Sequence, residues 1–137
     1  MIRLKVLSIK EPFASLIKDN IKHIETRSWK TNYRGELYIH ASLTNYKKLN
    51  ARLELMNLVK KIDTNCGYII CKCILKDCIY MDEEFIKHIK SNHEEYICGE
   101  YSIGRYAWVL DNIKVITPIK AKGKLGIWNY DNISNNN

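Results

Sequence analysis

The sequence predicts an α+β domain, a mixed β-barrel with about three helices inserted between its strands. Short stretches in which apolar and polar residues alternate recur along the chain, as in half-buried β-strands. Between them, three segments carry apolar residues every three or four positions, the spacing of an amphipathic helix. Residues 1–130 form a single domain. Residues 131–137 are predicted to be a disordered tail, because only Ser and Asn follow Ile133.

The first elements are a strand at residues 4–8 and a helix at residues 12–20. Pro12 suits the first helical position, where its ring fixes φ and no N–H is required. The apolar face of this helix consists of Phe13, Leu16, Ile17 and Ile21. Its end leads by a short turn into the next strand, and so delivers Lys22 directly to that strand.

Residues 22–27 and 36–41 alternate in polarity and flank a turn region that closes on Arg34-Gly35. This pattern predicts strand–loop–strand. In the second strand, Leu37, Ile39 and Ala41 share one face, and Glu36, Tyr38 and His40 share the opposite face.

The remaining elements follow the same logic. Helices are predicted at residues 45–61 and, with an acidic start, at residues 81–92. Strands are predicted at residues 67–77, 105–111 and 113–117, the last two separated by an Asp111-Asn112 turn. Residues 96–104 are a loop, and residues 126–128 are a last extended piece. The polar residues near the end of the acidic helix are interpreted as solvated: His88, His93, Glu94 and Glu95.

The positive charge is concentrated in one half of the chain. The net charge is +7, with 13 Lys and Arg against 5 Asp and Glu in residues 1–61, and 9 against 10 in residues 62–137. A basic half favours a polyanionic partner such as nucleic acid. The alternative is a solvated, lysine-rich surface.

The cysteines and the apolar runs predict the compartment. No apolar run reaches the roughly 18 residues that span a bilayer, and the N-terminus alternates like a strand rather than forming a signal peptide. The five cysteines are odd in number, mostly lie in apolar strand-like sequence and lack C-x-x-C spacing. We therefore expect a cytoplasmic protein with no membrane partner, no metal site and no cofactor.

The densest group of charged side chains is Lys22, Glu25 and Arg27. Lys22 and Arg27 can offer positive charge to phosphate, Arg27 as a two-pronged donor. Lys22 could also act as a base and His40 as a proton shuttle. The alternative is an ion network that only braces the strand. Aromatic residues nearby are candidates either for base stacking or for core packing: Trp29, Tyr33, Tyr106 and Trp108.

Six blocks carry a family resemblance, in the family's order. They are Leu7-Ser8-Ile9-Lys10-Glu11-Pro12-Phe13-Ala14, Lys22-His23-Ile24-Glu25-Thr26-Arg27-Ser28-Trp29, Tyr33-Arg34-Gly35, Ile39-His40-Ala41-Ser42, Arg105-Tyr106-Ala107-Trp108-Val109-Leu110 and Lys122-Gly123-Lys124-Leu125-Gly126-Ile127-Trp128. Together they resemble the ASCH domain, named for activating signal cointegrator homology and part of the PUA-like superfamily. The Trp29 and Tyr33-Arg34-Gly35 pattern resembles the cointegrator-like branch.

The resemblance implies a PUA-like barrel with a basic cleft beside it that recognises RNA or a modified nucleotide. The implied nucleic-acid-binding residues are Lys10, Lys22, Arg27, Trp29, Arg34, His40, Ser42 and Tyr106. A protein partner and the oligomeric state stay open.

An enzyme acting on RNA is the alternative that the resemblance implies, with Lys22, Glu25 and Arg27 as candidate catalytic residues. One bacterial branch hydrolyses the acetyl amide of acetylated cytidine with a Lys, a Thr three positions on, an Arg five positions on and a distant Glu. Here Lys22 and Arg27 match, Glu25 replaces the Thr, and Glu83 and Glu84 lie in the region of the distant Glu. The other enzymatic reading is a ribonuclease.

Overall fold

A computed structural model describes residues 2–43, 53–59 and 64–132. These ranges contain six strands and four short helices. In chain order they are β1 (Ile2–Lys10), α1 (Phe13–Lys18), β2 (Ile24–Arg27), β3 (Gly35–Ser42), α2 (Leu53–Val59), β4 (Tyr68–Tyr80), α3 (Glu83–Ile89), α4 (His93–Ile97), β5 (Tyr106–Lys120) and β6 (Ile127–Asn132). The predicted mixed α+β class is thus confirmed.

The six strands form one mixed sheet in the order β2-β5-β4-β3-β1-β6. β1 and β3 run parallel, and the other neighbours are antiparallel. Within the described residues β2 and β6 are edge strands that do not pair with each other, so the sheet is not closed into the predicted barrel. The reason lies in strand length, because β2 has only four residues and β6 pairs with β1 no further than Leu7.

The alternation predicted for β3 positions the main core. Leu37, Ile39 and Ala41 are fully buried on one face, together with Trp108 of β5. The same cluster includes Leu7 and Ile9 of β1 and Ala14 and Ile17 of α1. α1 therefore packs on this core, and the segment that follows α1 begins next to it. A second cluster on the other side of β1 consists of Leu4, Val6, Ile69 and Trp128.

The turn predicted at Asp111-Asn112 is wrong, because β5 continues through both residues. The pairing with β4 shifts by one residue between Ile74↔Asp111 and Lys72↔Lys114. Asn112 has a φ of 53°, a left-handed conformation that Asn tolerates better than most residues. The turn-forming pair thus makes a bulge inside a long strand rather than a strand end.

The acidic helix predicted at residues 81–92 forms as the shorter α3, and α4 follows it as a helix that was not predicted. Asp82 accepts a hydrogen bond from Phe85 N and caps α3, and Asn92 accepts one from Glu95 N and caps α4. Because the second cap begins a new helix, residues 93–97 are helical, although residues 96–104 were predicted to be a loop. Of the helix predicted at residues 45–61, α2 is described, and residues 44–52 and 60–63 lie outside the described residues.

The C-terminal strand is longer than predicted. Asp131 and Asn132, which were assigned to the disordered tail, belong to β6 and pair with Arg3 and Ile2 of β1. The Arg3 guanidinium also donates to the Asp131 carboxylate at 3.0 Å, which explains why this end of the strand forms. Residues 133–137 lie outside the described residues.

Candidate functional site

A cleft of about 1210 Å³ opens where the sheet stays unclosed. Its walls come from the end of β1, from β2, from the end of α4 and the segment 98–100 after it, and from the loop 121–126 between β5 and β6. Pockets for single small molecules typically measure about 300–1,000 Å³. The cleft thus has room for a nucleotide and part of its surroundings.

Lys22 is buried in the cleft wall, with 1% of its surface exposed. The end of α1 directs it there, since the backbone N–H groups of Ile21 and Lys22 both donate to Leu16 O. Its ammonium group donates to Cys98 O at 2.6 Å. It also lies 3.7 Å from a carboxylate oxygen of Glu25 and 5.5 Å from the centre of the Phe13 ring.

Glu25 and Arg27 complete the network on the same face of β2. Arg27 Nε donates to Glu25 Oε2 at 3.0 Å, and an Arg27 Nη donates to Ser8 O at 2.9 Å. Glu25 is buried and lies between the two cations. The structure therefore brings Lys22, Glu25 and Arg27 together, as predicted from their spacing, in a network that carries a net charge of +1.

Glu95 holds the start of β2 in place, a role that the sequence analysis missed. Its carboxylate is buried, not solvated as predicted, and accepts hydrogen bonds from the backbone N–H groups of His23 and Ile24 at 2.9–3.1 Å. The His23 ring approaches the same carboxylate at 3.0 Å. The sequence signal was Asn92, whose cap begins α4 and turns Glu95 toward β2.

His40 anchors the loop 121–126. It is 2% exposed, although it lies opposite the main core face of β3. Its Nε2 lies 2.7 Å from Ala121 O, its Nδ1 lies 3.2 Å from Ser8 Oγ, and Trp128 Nε1 donates to Ser8 Oγ at 3.0 Å. A carbonyl only accepts and an indole only donates, so His40 Nε2 donates to Ala121 O and the Ser8 hydroxyl accepts from Trp128.

Gly123 packs directly on this hydrogen-bonded pair. A Cβ at Gly123 would lie 2.9 Å from His40 Cε1 and 3.0 Å from Ser8 Oγ, closer than side chains approach. The loop is therefore fixed at Ala121 and Gly123. The other side chains of the loop, Lys122, Lys124 and Leu125, are exposed along the cleft, and Leu125 is 98% exposed.

The other predicted site residues fall into two groups. Lys10 and Ser42 line the cleft, whereas Trp29, Arg34 and Tyr106 do not. Trp29 is 38% exposed and lies edge-on to the buried Trp108. Arg34 donates to the carbonyls of its neighbours in the turn, and Tyr106 lies edge-on to Tyr80. The candidates for a distant Glu, Glu83 and Glu84, are exposed on α3 and are not part of the cleft wall.

The thiols of the main core resist ionisation. Burial raises the pKa of Cys71 and of Cys73 to about 12. Burial, with the Glu11 charge adding to it, also raises the pKa of Cys66, which lies at the cleft edge. In the described part of the chain, no group of three or more His, Cys, Asp or Glu side chains is placed to hold a metal ion.

The chain resembles known proteins both in sequence and in fold. The family model described as "ASCH domain" matches residues 7–120. The crystal structure of a point mutant of ZmASCH from Zymomonas mobilis is similar in fold, with a TM-score of 0.51 and 16% identity over 85% of this chain and 74% of ZmASCH. None of the curated protein sequences matches the chain. In the described residues, no helix is long and apolar enough to cross a membrane.

Proposed function

The chain belongs to the ASCH domain family, and we propose that it binds RNA, or a modified nucleotide within RNA, in the cleft beside Lys22. The observation that carries the proposal is the Lys22–Glu25–Arg27 network, which places two cations and one anion in the cleft wall. An anionic ligand would balance the remaining positive charge. A phosphate group suits this surrounding because the Arg27 guanidinium is a planar fork of donors.

The charge of the whole cleft supports an anionic ligand. Six basic residues line it against two acidic ones, Glu25 and Glu100, which leaves a net charge of +4. The basic residues are Lys10, Lys22, Arg27, Arg105, Lys122 and Lys124. Backbone phosphates supply most of the affinity of nucleic-acid complexes and make it depend on salt.

Recognition without catalysis is favoured by the surroundings of Glu25. The acetylcytidine branch has a Thr where this chain has Glu25, and the hydroxyl of the adjacent Thr26 is engaged with Glu100 N at 3.2 Å. Cys98 O and Glu25 hold Lys22 Nζ in place, which leaves at least one of its three N–H donors for an anion in the cleft. The alternative function is hydrolysis of RNA or of a modified base, and a cleavage assay distinguishes it from binding alone.

The finer assignments belong to the same proposal. The Trp29 and Tyr33-Arg34-Gly35 pattern supports the cointegrator-like branch. The reach of Arg27 from β2 to Ser8 of β1 supports a PUA-like arrangement, with side chains bridging the gap that backbone pairing leaves open. A cytoplasmic location is supported by the reduced thiols of Cys66, Cys71, Cys73 and Cys78, which are typical of a reducing compartment.

The test combines binding and cleavage on end-labelled single-stranded RNA at two salt concentrations. Lys22→Met keeps the length of the buried side chain and removes its charge. We expect salt-sensitive binding by the wild type without cleavage, and a loss of about tenfold or more in Lys22→Met, because charge-assisted hydrogen bonds contribute about 1.5–3 kcal/mol.

Lys87→Met is the matched control, because Lys87 is an exposed lysine on α3 away from the cleft. It removes the same charge and should change affinity little. Cleavage that disappears in Lys22→Met would replace the proposal with a nuclease, and release of acetate from acetylcytidine would replace it with the amidohydrolase. Equal binding by the two variants would show that the cleft is not the RNA site.

A further inference from the structure

A row of side chains continues from the cleft across the sheet. In the strand register Arg27 of β2 lies opposite Tyr106 of β5, and Tyr106 lies opposite Tyr80 of β4. Side chains at directly opposed positions of antiparallel strands project from the same face. The row therefore begins at Arg27 in the cleft wall and ends at Tyr80, about 10 Å away at the usual strand spacing.

Trp29 extends this row along the strands. Its ring lies edge-on to Trp108, with 4.7 Å between the ring centroids, and Trp108 is two residues from Tyr106 on the same face of β5. Tyr80 and Tyr106 are in edge-on contact, and the buried Trp108 links Trp29 to them; we call Trp29, Tyr80 and Tyr106 the aromatic shelf, which adjoins the cleft at Arg27.

Two of the three shelf residues are exposed, whereas Tyr106 is half-buried against the main core. Trp108 is fully buried, and its Nε1 donates to Trp29 O at 3.3 Å. By contrast, Tyr80 is 50% exposed and Trp29 is 38% exposed. Neighbouring aromatic residues that stay this accessible are typical of recognition surfaces rather than of structural cores.

We infer that the aromatic shelf stacks the nucleotides that flank the one in the cleft, so that the ligand is a single-stranded RNA segment and not a free nucleotide. This inference rests on the proposed function. Aromatic rings stack on bases with little sequence preference, and Arg27 at the junction can contact the connecting phosphate. The continuity of the shelf with the cleft selects RNA as its occupant over a protein segment.

The experiment compares the affinity of a mononucleotide with that of a tetranucleotide of the same base. The variants are Tyr80→Leu, Tyr80→Phe, Trp29→Leu and, as a matched control, Tyr130→Leu. Tyr130 is a half-buried tyrosine on β6 outside the shelf. Circular dichroism and thermal unfolding confirm that each variant is folded before affinity is measured.

We expect the tetranucleotide to bind more tightly than the mononucleotide to the wild type. Its affinity should fall about 5- to 150-fold in Tyr80→Leu and Trp29→Leu, the range for loss of one stacked base. Mononucleotide affinity should stay unchanged in these variants. Tyr80→Phe, which keeps the ring, and Tyr130→Leu should behave as the wild type does.

Tryptophan fluorescence gives a second readout. Trp29 is the most exposed of the three tryptophans, since Trp108 is 0% and Trp128 is 6% exposed. A base stacked on Trp29 should therefore quench fluorescence with the tetranucleotide and not with the mononucleotide, and Trp29→Leu should abolish the difference.

The outcomes separate this inference from the proposed function. Equal affinity for the two ligands in the wild type would overturn the inference, keep the cleft as a nucleotide site and leave the shelf to another partner such as a protein. Binding of neither ligand would overturn both.

Discussion

The guanidinium of Arg27 donates a hydrogen bond of 2.9 Å to the backbone carbonyl of Ser8, across the gap in the sheet. β6 pairs with β1 only as far as Leu7, so the edge of β1 beyond that residue is open to β2. The same guanidinium contacts the Glu25 carboxylate at 3.0 Å. One side chain thus joins two parts of the sheet and orients the anion that faces Lys22.

Arg27→Lys should weaken RNA binding and lower the free energy of unfolding, although it keeps the charge. An ammonium group is a point charge on a flexible stem and cannot reproduce the fork that contacts Ser8 and Glu25 together. We expect a loss of about 1–3 kcal/mol in stability, measured by urea denaturation. Arg3→Lys at the exposed Asp131 pair is the control and should cost far less. Equal losses in the two variants would contradict this account.

Glu95→Gln should reduce RNA affinity through the position of Lys22, since Glu95 lies on α4 and is not part of the cleft wall. The amide keeps one oxygen to accept from His23 N and Ile24 N, but its NH₂ group replaces the second acceptor. Amide hydrogen exchange at residues 22–27 should rise in this variant.

Glu94→Gln is the matched control for Glu95→Gln, because Glu94 is its exposed neighbour on α4. It should leave both exchange and affinity unchanged. An unchanged exchange rate together with weakened binding in Glu95→Gln would contradict a positioning role.

Gly123→Ala should weaken RNA binding more than it weakens the fold. The added methyl group would contact His40 and Ser8 at 2.9–3.0 Å and push the loop 121–126 away from the cleft. We expect an affinity loss of about tenfold with a small change in melting temperature, because the loop is exposed. Isothermal titration with RNA and thermal unfolding measure the two effects.

The contrasting control is Gly104→Ala. Nothing lies within 4 Å of a Cβ at Gly104, but its φ is +95°, a conformation that only glycine adopts easily. This variant should lose stability and keep its RNA affinity. The opposite pattern would remove the argument that Gly123 positions the loop.

The sequence predicted those site residues that lie close together in the chain. Glu25 and Arg27 follow the alternation of β2, which is enough to place them on one face, whereas Lys22 precedes β2 and is directed to them by the end of α1. Glu95 could not be found this way, since its contact with His23 spans 72 residues and its burial depends on how α4 docks. His40 was chosen as a candidate because it lies on the polar face of β3. Its burial could not be predicted, because it depends on a contact with Ala121, 81 residues away in the chain.

The fold class was predictable and sheet closure was not. Strand alternation is a property of each segment, and it holds for β3, where Leu37, Ile39 and Ala41 are buried as expected. Closure depends on whether two edge strands are long enough to meet. The bulge at Asn112 likewise depends on β4, because β5 stays paired with β4 on both sides of it.

Tyr101→Phe should stabilise the protein. Among the described residues, the Tyr101 hydroxyl is buried and finds no hydrogen-bond partner. A buried polar group without a partner costs about 1–3 kcal/mol, so its removal should raise the free energy of unfolding by roughly 1 kcal/mol or more. Tyr33→Phe is the control, because the Tyr33 hydroxyl donates to Glu36 O at 2.5 Å and its loss should destabilise. A loss of stability in Tyr101→Phe would indicate a partner for its hydroxyl.

Alkaline pH should destabilise the fold through Cys71 and Cys73. Burial raises the pKa of both thiols from an ordinary value of 9.0 to about 12, whereas in the unfolded chain they ionise near 9. Between these pH values the folded state binds more protons than the unfolded chain does. The free energy of unfolding is therefore unaffected by these thiols below pH 9 and falls as pH rises toward 12. Each thiol contributes a slope of up to about 1.4 kcal/mol per pH unit.

Urea denaturation between about pH 8 and about pH 11 of the wild type and of Cys71→Ala/Cys73→Ala measures the contribution of these thiols. The double variant should be less stable at pH 8, because cavities replace the sulfur atoms, and its stability should fall less steeply with pH. Tyr and Lys titrations affect both proteins alike, so the difference between the two curves isolates the thiols. Parallel curves would mean that Cys71 and Cys73 ionise in the folded state as readily as in the unfolded chain, and that the core around β4 admits water.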